Sequence, residues 1–405
     1  MANSNRICII GGGVIGASIG FHLSEAGCSN ITIVERTNVA CGASGRSGGF
    51  LAKNWRSGVE GKFSESSFLA HSELAKRLKN EFSIDVMYRR LTTYNISVSE
   101  TPDKKSSIKQ TNDNQSLPKW ITADIREKEI LGNEDTTAQV HPGLLTNALV
   151  KVIENRGGRV VIGKANGFLF ETITTHTEKD EHHQTSPIRA IKLLIENQEP
   201  IEADIFVLAM GPWTYQAAPW FRDAMIFKEN ISHQLDIISG VKAHSIVFKG
   251  NQPTEPYAFF LSYQSNDGNI LDPEVYPRSN GDIYVCGFSE QHSQNLSDSG
   301  NSVPIDENSC ERLRQIAMQI ASTLKDSNVE IKQACYLPQS HDGIPIIGRL
   351  HGLNNVYVAA GHSCWGILNS LATGAQLTQL ILKGEISPYL KQCDPGRFFR
   401  HTSHK

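Results

Sequence analysis

Gly11-Gly12-Gly13-Val14-Ile15-Gly16 constrains the fold of this chain more than any other segment. Ahead of it, Arg6 to Ile10 reads as a short buried strand, and behind it a helical apolar pattern runs through Leu23. A second strand, Ile31-Thr32-Ile33-Val34, ends on Glu35. Strand, G-x-G-x-x-G, helix, strand and acid, in that order, open a dinucleotide-binding βαβ unit. Gly11 allows the tight turn, Gly13 lets a pyrophosphate approach the backbone, and Gly16 lets the helix lie on the strand. Val14 and Ile15 begin that helix, whose N-terminus favours phosphate charge. Glu35 can accept hydrogen bonds from ribose hydroxyls, and Arg36 beside it is a further candidate contact. The apolar run from Ile7 to Phe21 is too short to span a bilayer, which takes roughly 20 apolar residues. Its glycines and the acid-tipped strand after it argue against an export signal.

Ala40-Cys41-Gly42-Ala43-Ser44-Gly45-Arg46-Ser47-Gly48-Gly49 is a second Gly/Ser loop, poor in both helix and strand signals. Its small residues let backbone N–H groups approach a ligand, and its hydroxyls and Arg46 can pair with phosphate or ring oxygens. NAD domains rarely need such a loop straight after the acid. FAD, longer and more deeply held, does. Ser44, Gly45, Arg46, Ser47 and Gly48 therefore join the candidate cofactor contacts.

Further motifs carry a family likeness. Val140-His141-Pro142 precedes a helix, and Val207-Leu208-Ala209-Met210-Gly211-Pro212-Trp213 reads as a strand and turn. Asp342-Gly343-Ile344-Pro345-Ile346-Ile347-Gly348 is followed by Val356-Tyr357-Val358-Ala359-Ala360-Gly361-His362. Together these resemble the D-amino-acid oxidase-like family of FAD-dependent oxidoreductases, which holds glycine oxidase and sarcosine oxidase. The resemblance implies cofactor contacts at Ala165, Ala209, Gly211 and Trp213. It implies more at Gly361, His362, Ser363, Cys364, Trp365, Gly366 and Ile367. Within the family, His362 to Asn369, Ala243 to Val247 and Glu274 to Arg278 look most like a eukaryotic subgroup linked to late-endosome traffic. That likeness implies a cytoplasmic protein associated with late endosomes.

The fold expected is α/β, α+β overall: a Rossmann-like FAD-binding domain with an inserted, mainly antiparallel β-sheet domain that caps the flavin. Its expected bounds are 1–85, 136–240 and 331–390 for the first, 86–135 and 241–330 for the second, and a tail at 391–405. Apolar stripes place helices over Leu144 to Ile153, Leu313 to Leu324 and Ile367 to Ile381. Ser279-Asn280-Gly281 before an alternating run is a hairpin signal. Asn95–Lys119, Thr174–Pro187 and Gln291–Pro304 read as surface loops. Glu178 to His183 reads as a solvated hairpin tip rather than a metal site, and no internal repeat is visible.

The composition narrows the partners. A formal charge of -3 gives no reason to expect nucleic acid or an anionic membrane. The eight cysteines are scattered, with no C-x-x-C and no zinc-like spacing. A reducing compartment is the default for such a chain. The C-terminal Thr402-Ser403-His404-Lys405 carries no retention or peroxisomal signal.

If the cofactor is FAD, the flavin performs the redox step and the protein positions and polarises. An amine or amino-acid-like substrate would pass a hydride to flavin N5, with O2 as an acceptor in an oxidase. Arg46 and Lys53 are the nearest candidate cations to the flavin by sequence, and Arg278 is a candidate to hold a substrate carboxylate; Lys53 and Arg278 are the candidate catalytic residues. Glycine-oxidase-like members carry two arginines that clamp the substrate carboxylate. The matching positions here are Leu337 and Cys364, which leaves larger or secondary amines open and puts small α-amino acids in doubt. Trp365 suggests an aromatic wall. Cys335, seven residues before Asp342, matches the cysteine that sarcosine-oxidase-like members join to the flavin; a covalent bond there and an inert buried thiol both stay open. The alternative to an enzyme is a flavin-binding protein with a trafficking or scaffold role.

Overall fold

The computed structural model describes residues 4–101, 117–172, 188–221, 231–250 and 252–401. Its organising element is a six-stranded sheet in which Ile7–Ile10 lies between Ile31–Glu35 and Ile205–Leu208. Arg159–Ile162 extends it on one side, and Val356–Ala360 then Ile346–Arg349 on the other. All pairings are parallel except the last, between Ile346–Arg349 and Val356–Ala360. Both faces are covered, so the strands are continuously apolar rather than alternating. Ile7, Ile9, Ile31, Ile33 and Val207 pack on one face with helices Val14–Glu25, Pro142–Asn155 and Gly366–Lys383. Cys8, Ile10, Phe206, Leu208 and Val358 face the other side, against Phe168 and Phe221.

A nine-stranded sheet stands beside it, mostly antiparallel, with one parallel pair between Tyr257–Gln264 and Thr92–Ser99. Its longest ladder joins Ile238–Phe248 to Val329–Ser340. Helix Glu307–Ile320 lays Leu313, Ile316, Ala317 and Ile320 on that sheet, against Ile246, Phe259 and Val285. Two three-stranded sheets complete the architecture.

The expected hairpin is present: Glu274–Pro277 pairs with Ile283–Gly287, with Gly281 at φ 93. Four readings need correction. Asn95 to Ser99 belongs to a strand, because Tyr94, Ile96 and Val98 alternate into the core beneath the polar residues. The second Gly/Ser loop contains a helical turn, Ala43–Arg46, and the Gln291–Pro304 segment contains a short strand, His292–Ser293, and a 3₁₀ turn, Gly300–Ser302. The helix expected to reach Leu324 stops at Ile320, and Leu324 lies in a separate 3₁₀ turn. The Glu178–His183 tip lies outside the described residues. Among the described residues no group of His, Cys, Asp or Glu could hold a metal, and no helix is long and apolar enough to cross a membrane.

Candidate active site

Strand Ile7–Ile10 ends at Gly11, whose φ of 116 brings it against the neighbouring strand's continuation. A Cβ there would stand 2.2 Å from the Ala209 carbonyl oxygen, and one at Gly16 would stand 2.1 Å from the Gly11 carbonyl oxygen. The turn is thus shaped for glycine, and helix Val14–Glu25 starts hard against the strand end. Glu35, at the tip of the next strand, turns back on this turn. Its Oε2 accepts from the Gly12 N–H at 2.8 Å and its Oε1 from the Thr37 N–H at 3.0 Å. Ser44 Oγ accepts from the Val14 N–H at 2.8 Å, tying the second Gly/Ser loop to the same helix N-terminus.

These groups line one end of a cavity of ≈ 340 Å³. Gly11, Gly13, Val14, Ile15, Glu35 and Arg36 border it, together with Ser44 and Ser47. Ala165, Ala209, Gly211 and Trp213 line it as well. The far end is closed by His362, Ser363, Cys364, Gly366 and Ile367, at the start of helix Gly366–Lys383. Leu337 and Cys364, the positions matched to the missing arginines, both line it.

The cavity suits a long, phosphate-bearing cofactor. It runs from a glycine cradle at one helix N-terminus to a second helix N-terminus. Two polar atoms on its wall, Ser47 Oγ and His362 Nδ1, are buried and lack a hydrogen-bond partner among the described residues. Buried polar groups left this way are costly without a ligand to satisfy them. His362 Nε2 is held by Thr373 Oγ1 at 3.1 Å, and burial pulls the imidazole down to about 4, so the ring is neutral.

Other expected contacts lie off the lining. Gly45 packs on the Ala40 carbonyl, and Gly48 admits the Tyr276 ring, whose Cδ2 would stand 2.3 Å from a Cβ at 48. Gly16 and Gly361 also serve packing, against Gly11 and against Ile238. Arg46 turns away, its guanidinium donating to the Ala334 carbonyl at 2.7 Å. Lys53 pairs with Glu65 at 3.3 Å. Arg278 is 7% exposed, its Nη1 3.3 Å from His141 Nε2 and its guanidinium 5.5 Å from the Tyr284 ring centroid. Each of these cations has a partner within the protein, Ala334, Glu65 and His141 in turn. Cys335 is buried, and that burial pushes its thiol up to about 11, Arg46 opposing.

The sequence reading missed Gly42, Lys164, Met210, Gln216 and the Asp298-Ser299-Gly300 segment, all on the lining. The last arrives from the second sheet. Arg36 forms an ion pair with Asp298, Trp213 Nε1 donates to the Ser297 carbonyl at 2.9 Å, and a Cβ on Gly300 would meet the Cys41 carbonyl carbon at 2.6 Å. The signal available was Gly300 itself, inside a stretch otherwise read as solvent-facing.

Comparison with known proteins agrees with this geometry. A Schizosaccharomyces pombe protein, C1F5.03c, provisionally named an oxidoreductase, is 30% identical, the match covering 96% of each chain. The glycine oxidase of Bacillus licheniformis is 25% identical over 92% of each chain. The crystal structure of glycine oxidase from Bacillus cereus shares the fold with a TM-score of 0.71, at 19% identity, covering 96% of this chain and 98% of that one. The family profile described as "FAD dependent oxidoreductase", DAO, matches residues 6–380. The chain belongs to the DAO family of FAD-dependent oxidoreductases, and FAD is its cofactor.

Proposed function

We infer that the chain oxidises a C–N bond of an amine held beside the flavin, and that its substrate is not a small α-amino acid. The observation that carries this is the pair Leu337 and Cys364. Both line the cavity, where relatives named in the sequence reading would present two arginines to a carboxylate. Neither side chain can donate a bidentate, charge-assisted pair.

The residues divide the work along the cavity. Gly11, Gly13, Val14 and Ile15 would take the pyrophosphate, where the helix N-terminus favours negative charge. Glu35 would take the ribose hydroxyls; Arg36, Ser44 and Ser47 would contact the polar middle. His362, neutral and with a free Nδ1, would hold a polar edge of the isoalloxazine. Bound FAD supplies an acceptor for the hydride from the carbon beside the amine nitrogen. The N-terminus of helix Gly366–Lys383 faces that end, and its dipole favours negative charge there. It would fill the role expected of a nearby cation, since Arg46 and Lys53 are engaged with Ala334 and Glu65. Residues 1–85, 136–240 and 331–390 would form the FAD-binding part, and 86–135 with 241–330 the cap. Aerobic and anaerobic flavin bleaching with a panel of amines tests the reading. Glycine, sarcosine and D-alanine should bleach poorly and a bulkier amine well; rapid bleaching by any of the three at micromolar concentration would overturn it.

A further inference from the structure

Glu274 is a carboxyl without a counter-ion. It stands on strand Glu274–Pro277, half-buried, and accepts from the Tyr276 hydroxyl at 2.6 Å and the Cys286 thiol at 3.3 Å, both through Oε2. Its Oε1 has no hydrogen-bond partner, and no Lys, Arg or His pairs with it, among the described residues. Burial pushes its pKa up, against the two donors. A cation brought to Oε1 would favour the ionised form that burial disfavours.

Aromatic rings surround the same place. Phe50 lies 5.1 Å from Trp55, 5.3 Å from Phe260 and 5.6 Å from Tyr276, centroid to centroid. Trp55 lies 5.2 Å from Phe260 and 6.1 Å from Trp365. Trp365 carries this wall to the far end of the FAD cavity, since Cys364 and Gly366 on either side of it line that cavity. Burial raises the Cys364 thiol, and the nearby Glu274 charge raises it further. Phe260 and Cys286 flank Glu274 on the paired strands, so the sheet register itself sets the acid among these groups. One ring face already takes a cation: the Arg56 guanidinium lies 4.9 Å from the Trp365 centroid, paired with Glu60 at 3.4 Å.

We propose that Phe50, Trp55, Phe260, Tyr276 and Trp365 with Glu274 form the substrate subsite, and that it selects a cationic alkylammonium head. Ring faces attract such a head, and the carboxylate supplies the charge that the protein itself leaves unpaired. The proposal rests on the C–N oxidation reading and names its substrate class. Glu274 would also take the N–H proton of a bound ammonium on Oε1, the O–H bond forming as the N–H bond breaks. The nitrogen keeps its electron pair and the amine becomes neutral.

The experiment uses the FAD-loaded protein and two probes that cannot be oxidised at nitrogen-bearing carbon through a neutral amine or amide form: benzyltrimethylammonium and benzoate. Calorimetry and the flavin difference spectrum report binding. Benzyltrimethylammonium should bind saturably and perturb the flavin, benzoate should not, and Glu274→Gln should weaken the cation by about tenfold or more with FAD content unchanged. Tighter binding of benzoate than of the cation, in the unaltered protein, would overturn the proposal without any variant. Amine turnover separates the two readings. If an amine bleaches the flavin with the same KM in Glu274→Gln, the C–N reading stands and the cation site falls. If the cation binds through Glu274 yet no amine bleaches the flavin, the site stands and the C–N reading falls.

Discussion

Gly11 and Cys335 show how differently two residues can be read from a sequence. Gly11 belongs to a contiguous motif whose backbone does the work, so its role was legible: φ is 116 and a side chain would collide with the Ala209 carbonyl. Gly11→Ala should cost about 1–3 kcal/mol in strain alone, before the clash, and release FAD. A urea midpoint and a flavin content equal to the parent's would contradict that. Cys335 was placed by spacing to a relative's motif, and spacing says nothing about ionisation. With the thiol held at about 11 by burial, only a trace is thiolate at neutral pH, and the thiolate is the nucleophile. FAD should therefore leave entirely on acid precipitation, with the apoprotein at its unmodified mass; a mass increase of one flavin would show that the bound cofactor reverses this. Arg46, Lys53 and Arg278 each have a protein partner that spacing along the sequence does not show. Long side chains choose partners by three-dimensional reach, and Arg46 finds Ala334, 288 positions away.

Helix Gly366–Lys383 was legible from its apolar stripe, but what aims its N-terminus was not. A buried polar seam from helix Gly58–Phe82 does this. Ser64 Oγ donates to Asn369 Oδ1 at 3.0 Å, and Ser67 Oγ donates to the Leu368 carbonyl at 2.5 Å while accepting from the Ala372 N–H at 3.1 Å. His71 Nε2 stands 3.0 Å from the Ile367 carbonyl. Serines on a helix face carry no periodic apolar signal, so the pairing of these two elements stayed hidden. Ser67→Ala removes the buried hydroxyl that bridges the Leu368 carbonyl and the Ala372 N–H, a loss of about 1–3 kcal/mol. The variant should also bind FAD more weakly, because the helix start forms the far wall of the cavity. Unchanged stability with unchanged flavin affinity would mean that the seam is incidental.

Among the described residues, the buried His71 and His362 and the half-buried His141 are pulled down to about 4 from an ordinary value near 6.5. Burial is the first cause in each. Between those values the unfolded chain binds more protons than the folded one, so stability is complete above about 6.5 and declines as pH falls toward 4. Urea midpoints at pH 7.5, 6 and 5 should fall in that order, and His71→Asn should flatten part of the slope. A midpoint that stays level from 7.5 to 5 would contradict the linkage.

The segment Asp298 to Gly300 has a consequence in time rather than in energy. It comes from the second sheet and lies on Cys41 and Gly42, tied at Arg36. A cofactor leaving on that side would need the segment to lift, so its residence would follow how often the segment opens. Asp298→Ala should shorten the half-life of bound FAD under dilution more than it weakens equilibrium affinity, since both entry and exit use the same opening. A cell holding such a protein would keep its flavin loaded through dips in supply, and would be slow to load newly made chains.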